Sequence, residues 1–153
     1  MHIAIVSAAA LSPETPAIAR ELSRGHRVTL YTRRSSPEGR DRVRLAPGVT
    51  VEHVPAGPPE ELPESSLLPY LPDFSARLHA RWDKERPDVI HAHSWAGGLA
   101  AIAGADGMAV PVTQTFHHER APDGPADARL RLVRAIGRRA DAVIASCADE
   151  ETE

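Results

Sequence analysis

Short runs of branched apolar residues recur along this chain with helix-length segments between them, and that alternation leaves few folds open. Ile3 to Ser7, Arg27 to Thr32, Val49 to Val54, Asp88 to His93, Val110 to His117 and Asp141 to Ser146 each read as a strand. Thr15, with Pro16 behind it and Gly25 as the stop, starts a first helix whose Ile18 and Leu22 face inward. Phe74, Leu78 and Trp82 recur every four residues in a second helix from Pro72 to Arg86, which Pro87 ends. Further helices are read over Trp95 to Ala105 and Ala126 to Ala140. Strands that are apolar on both faces and separated by helices need crossover connections, and these give a parallel sheet. The fold class is therefore α/β: a doubly wound, mainly parallel Rossmann-like sheet of about six strands with helices on both faces. Val49 to Val54, with one polar face, reads as an edge strand, and Asp141 to Ser146 as a buried one.

The chain has 153 residues, 42% of them hydrophobic and 25% charged, enough for one domain with a sizeable core. No apolar tract of membrane-spanning length and no signal peptide is visible, and the single Cys147 fits a reducing compartment, so a cytoplasmic location is expected. A net charge of −3 gives no reason to expect nucleic-acid binding. Lys84 is the one lysine, and Arg33, Arg34, Arg40, Arg42 and Arg44 cluster in a segment that reads as a solvated loop partly neutralised by Glu38 and Asp41. The Pro/Glu stretch from Pro58 to Pro63 reads as a linker within the domain. Ser146 starts an N-cap pattern with the acidic residues Asp149, Glu150, Glu151 and Glu153 behind it, but only a single helical turn follows. One turn without an apolar face does not stabilise itself, so the chain reads as the first half of something longer.

In sheets of this kind ligands bind beyond the carboxyl ends of the strands, where the strand order reverses. The residues there are Ser7, Ala8 and Ala9 after the first strand, His93, Ser94 and Trp95 after Asp88 to His93, and His117, His118, Glu119 and Arg120 after Val110 to His117. The first loop lacks G-x-G-x-x-G, and neither a P-loop nor G-x-S-x-G occurs, which weighs against dinucleotide dehydrogenases, P-loop enzymes and α/β-hydrolases. His91 and His93 share one side of a strand, and with His117, His118 and Glu119 they offer either a metal site, a polar substrate site or structural histidines. Trp95 fits either packing on a sugar ring or a partner, or the core. Gly97 and Gly98 follow a helix start and so fit close helix-to-sheet contact better than phosphate binding. Cys147 reads as a structural thiol.

Six segments in order resemble the N-terminal domain of family 4 glycosyltransferases: Ile3-Ala-Ile-Val-Ser7, Gly25 to Arg33, Gly48 to Val54, Pro87 to His93, Pro111 to His117 and Arg139 to Ser146. The similarity is greatest to the branch of sucrose-synthase-like and inositol-phosphate glycosyltransferases. The resemblance implies a GT-B enzyme in which residues 1–153 are the single N-terminal, acceptor-binding Rossmann-like domain and a C-terminal donor-binding domain is absent from this chain. It implies a retaining hexosyltransferase that uses no metal ion and no other cofactor, and that is inactive as this chain alone. The acceptor would be a small molecule or lipid-linked, and a nucleotide sugar would bind only with the C-terminal domain. His117 matches the family histidine that lies against the donor sugar and stabilises charge on the departing diphosphate. Ser7, Ala8, Ala9, His93, Ser94, Trp95, His118, Glu119 and Arg120 match positions that shape the acceptor side. The sequence departs from the family in one loop: relatives carry glycines after the first strand, where this chain has Ala8-Ala-Ala-Leu-Ser-Pro13. Two other readings follow from the residues, a stand-alone binding module that keeps the fold without catalysis and a metal-dependent hydrolase. A face exposed by the missing half leads us to expect weak self-association into a homodimer.

Overall fold

The computed structural model of the chain describes residues 1–9, 11–116 and 126–144. Its elements run β1 (His2–Ser7), α1 (Glu14–Leu22), β2 (Arg27–Arg33), β3 (Arg42–Ala46), β4 (Val49–Val54), α2 (Leu71–Lys84), β5 (Val89–His93), α3 (Ser94–Gly104), β6 (Val112–Thr115), α4 (Ala126–Arg139) and β7 (Ala142–Ile144). The sheet order is β3-β4-β2-β1-β5-β6-β7, and every neighbouring pair is parallel except β3 with β4. The doubly wound sheet expected from the alternation is present, with seven strands among the described residues in place of about six.

The additional strand is β3, whose Arg42-Val-Arg-Leu-Ala46 falls inside the segment read as a solvated loop. It pairs antiparallel with β4 and forms one edge of the sheet, so β4 is an interior strand and the expectation of an edge at Val49 to Val54 is corrected. Two arginines in five residues hide the strand signal, and the same charges suit an edge that must not recruit another strand. The polar position that made β4 look like an edge is an internal ion pair. Glu52, buried among neighbours, binds Arg81 of α2 at 2.7 Å, and Arg42 of β3 lies 3.9 Å from it. At the opposite edge β7 pairs, among the described residues, with β6 alone, and Val143 and Ile144 are 48% and 47% exposed, which corrects the reading of a buried strand. An apolar sequence shows that a strand can be buried, while its place in the sheet decides whether it is.

α1 begins two residues earlier than read, with Pro13 in place of Thr15 at the cap position and no side-chain cap. Its inner face carries buried Thr15 and Ala19 with Leu22 partly buried, as expected for Leu22, while Ile18, expected to face inward, is 39% exposed. Thr15 is within hydrogen-bond distance of the Ser12 hydroxyl at 3.0 Å, so the residue meant to cap the helix instead ties its first turn to the preceding loop.

The core lies on both faces of the sheet. Ile3, Ile5, Val28, Leu30, Val49 and Val51 pack under Ala19 of α1. Ala4, Val6, Ile90 and Ala92 pack on the other face with Phe74, Leu78 and Trp82 of α2, Trp95 and Ala96 of α3, and Ile136 of α4. The expected stripe of α2 is wholly buried.

At the amino-terminal end of β1, His2 is 6% exposed, with Nε2 2.9 Å from the Thr29 hydroxyl. Burial, reinforced by Arg27, pushes its pKa below the ordinary 6.5. The folded chain therefore holds His2 neutral where the unfolded chain would protonate it. Its contribution to stability is complete above pH 6.5 and is lost as the pH falls from there toward the folded-state value. Thermal unfolding between about pH 7.5 and 5 should show His2→Gln losing less stability on acidification than the parent chain. Parallel losses in the two would show that His2 does not titrate differently in the fold.

Candidate functional site

The strand order reverses between β1 and β5, so the crevice opens where these strands and their neighbours end. Ser7 and His93 follow Val6 and Ala92, the last paired positions of the two strands. On the β2 side of this point a cleft of about 370 Å³ is lined by Ala8 and Ala9 after β1, Arg33 and Ser35 after β2, and Glu61, Leu62 and Pro63. Sequence reasoning named Ala8 and Ala9 and missed the other five. It placed Glu61 to Pro63 in a linker, but these residues form the cleft wall.

Arg33 corrects the reading of a solvated arginine cluster, since it is 5% exposed. Its Nη1 donates to the carbonyls of Arg34 (3.1 Å), Ala56 (3.2 Å) and Pro58 (2.7 Å), and its Nη2 donates to that of Glu60. Among the described residues it has no carboxylate partner, and its Nε has no hydrogen bond. Burial lowers its pKa, while Tyr70 and Glu60 oppose that shift; a guanidinium stays charged through any such change. Four carbonyl dipoles thus solvate a buried cation, and in return the cation folds the segment from Ala56 to Glu60 against β2. The signal that could have located it is position: Arg33 ends a strand in which Val28 to Thr32 are all buried, so it stands at the carboxyl edge of the sheet.

The glycine-free first loop is accommodated without strain at the described positions. Among the described residues Ser94 is the one non-glycine with positive φ, so Ala8 and Ala9 keep ordinary backbone angles. The Thr32 hydroxyl donates to the Ala9 carbonyl at 3.1 Å and pins the loop to β2.

The β5 exit is strained. Ser94 has φ of +67°, a conformation that costs an L-residue about 1–2 kcal/mol. His91 and His93 lie on one side of β5, as their spacing requires, with rings stacked at 4.5 Å. His91 Nε2 is 2.8 Å from the Thr115 hydroxyl of β6. Trp95 is 1% exposed inside the core, so of the two roles open to it the structure shows the core one. Gly97 serves the close helix-to-sheet contact expected of it: a Cβ there would sit 2.8 Å from the Val6 carbonyl oxygen. Glu64 reaches the same helix start, accepting from the Ala96 backbone N–H at 3.4 Å.

Ser7, Ala8, Ala9, His93, Ser94 and Trp95 are therefore brought to the reversal point. His117, His118, Glu119 and Arg120 lie outside the described residues, as do Ser146 and Cys147. Among the described residues no group of three or more His, Cys, Asp or Glu side chains is placed to hold a metal ion, and no helix is long and apolar enough to cross a membrane.

Residues 11–153 match the glycosyl transferase 4-like domain. The chain belongs to that family. A D-inositol 3-phosphate glycosyltransferase of Nocardiopsis dassonvillei is 34% identical over 146 residues, covering 87% of this chain and 34% of that protein. One from Acidothermus cellulolyticus is 40% identical over 104 residues, covering 65% of this chain and 23% of its own length. The chain thus spans about a third or less of these relatives. A solved sucrose-phosphate synthase from Thermosynechococcus elongatus superposes with a TM-score of 0.84 at 21% identity, over 99% of this chain and 43% of that one, and shows a shared fold.

Proposed function

We propose that this chain is the acceptor-binding half of a retaining glycosyltransferase, moving a hexose from a nucleotide sugar to a small or lipid-linked acceptor in the cytoplasm. The observation that supports it most directly is the cleft at the carboxyl ends of β1 and β2, framed by Arg33 and open beside the strand-order reversal, in a chain of this family. The relatives' activity as D-inositol 3-phosphate glycosyltransferases makes a phosphorylated polyol one acceptor to try first. In this reading a C-terminal domain binds the donor. Ser7, Ala8, Ala9, His93 and Ser94 shape the acceptor side, with Trp95 anchoring the helix behind them. His118, Glu119 and Arg120 complete that side after β6. His117 faces the donor sugar and offsets negative charge on the leaving diphosphate, an electrostatic role that needs no covalent intermediate.

Calorimetry of the 153-residue chain with UDP-, GDP- and ADP-sugars should show no micromolar binding, whereas the longer protein containing it should bind one of them and transfer its sugar. Micromolar binding by the chain alone would overturn the division of labour between two domains. A longer protein that binds a nucleotide sugar and transfers it to no polyol, sugar or lipid acceptor would overturn the activity.

A further inference from the structure

We infer that Gln114 is the positioning residue of the crevice: its buried carboxamide ties the exit of β5 to the exit of β6 and holds Ser94 in the left-handed conformation that presents the segment from His93 to Trp95. The functional meaning of this clamp rests on the reading of the crevice as an acceptor site, and the test below separates the two.

Gln114 is 0% exposed in the middle of the sheet, opposite Ala92 of β5. Its Nε2 donates to the Ser94 carbonyl at 2.8 Å and to the Thr115 carbonyl at 3.1 Å. Both neighbours of that nitrogen are carbonyl oxygens, which accept only, so the amide orientation is fixed. One side chain therefore holds the first residue after β5 and the last residue of β6, two positions before His117. The space for it is made by α3. A Cβ on Gly98 would clash with the Gln114 Oε1 and stand 3.0 Å from Ile136 Cγ2. Oε1 itself has no hydrogen-bond partner among the described residues.

A purely structural role does not account for this arrangement. An interior parallel strand is most stable with a branched apolar residue, and a buried amide with one end unpaired is a liability there. What the amide supplies is a donor for the carbonyl of Ser94, the one non-glycine residue held at positive φ among the described residues. Strained backbone persists where its surroundings over-determine it. Here the over-determining contact comes from the neighbouring strand.

The test uses the longer protein with Gln114→Met, which keeps length and removes the donor, and Gln114→Glu, which keeps shape and donates only when protonated. Amide exchange in peptides covering residues 93–98 should quicken about tenfold or more in the Met variant while β1 and β2 stay protected. kcat/KM for the acceptor should fall about 10²-fold with the KM for the donor unchanged, as expected for misplacement of a binding segment. The Glu variant should be impaired at pH 8 and regain activity as the pH falls, a profile absent from the parent, because a desolvated carboxyl takes up its proton early. Unchanged exchange over 93–98, or faster exchange spread across the whole sheet, would overturn the positioning role. If the Met variant does not fold, the pH profile of the Glu variant decides, and a flat profile counts against the proposal. A parent protein without transferase activity would sink the acceptor reading alone, since the exchange measurement still judges the clamp.

Discussion

Trp82→Ala is expected to lower the free energy of unfolding by about 3–5 kcal/mol. Trp82 closes the last turns of α2 at 0% exposure, with its ring edge-on to Tyr31 at 5.8 Å and 87°. α3 approaches it through Gly104, where a Cβ would stand 3.0 Å from the indole Cζ3. Two helices and β2 therefore converge on one side chain, and none can close the void without breaking its own contacts. Since a domain of this kind is stable by about 5–15 kcal/mol in all, the loss is a large share. Urea unfolding measures it: the midpoint should drop while the slope stays near the parent value. A change under about 1 kcal/mol would show that the α2–α3 contact relaxes far more readily than its packing implies.

On the proposed function, in a protein that joins this chain to a donor-binding domain, His117→Ala should lower kcat by about 10²-fold or more, because a group aimed at charge that develops in the transition state contributes a few kcal/mol. Acceptor binding should change far less, since the interaction strengthens only as the diphosphate departs. Steady-state kinetics with both substrates varied distinguishes the two effects. A kcat within about threefold of the parent would remove His117 from the reacting centre.

Local pattern was legible and non-local pattern was not. Phe74, Leu78 and Trp82 gave α2 because their spacing matches one helix face whatever surrounds it. β1 and β5 were readable because inner parallel strands must be apolar on both sides, and β2 because its residues alternate with the period of a strand. β3 escaped notice because Arg42 and Arg44 carry the residue type of a loop into a strand that exists only by pairing with β4. The helix start was displaced from Thr15 because proline suits the first turn of a helix, and Pro13 offers that turn as well as Pro16 does. The crevice was found from strand ends alone, which gave Ala8, Ala9, His93 and Ser94. Arg33 was missed because charge on a sequence signals solvent, and nothing local announces that three carbonyls from a segment more than twenty residues away, with that of Arg34 beside it, will replace it. Gln114 and Ser94 meet only through the sheet register.

Arg33 grips the segment from Ala56 to Glu60 by main-chain oxygens, so the frame of the cleft wall is independent of which side chains that wall carries. Glu61, exposed on that wall, can then be exchanged for residues of other charge or size while the scaffold that displays it stays put, whereas Leu62 beside it packs against the core. Recognition and folding are written in separate letters at Glu61, and a panel of substitutions there is a direct route to retargeting the cleft toward new ligands.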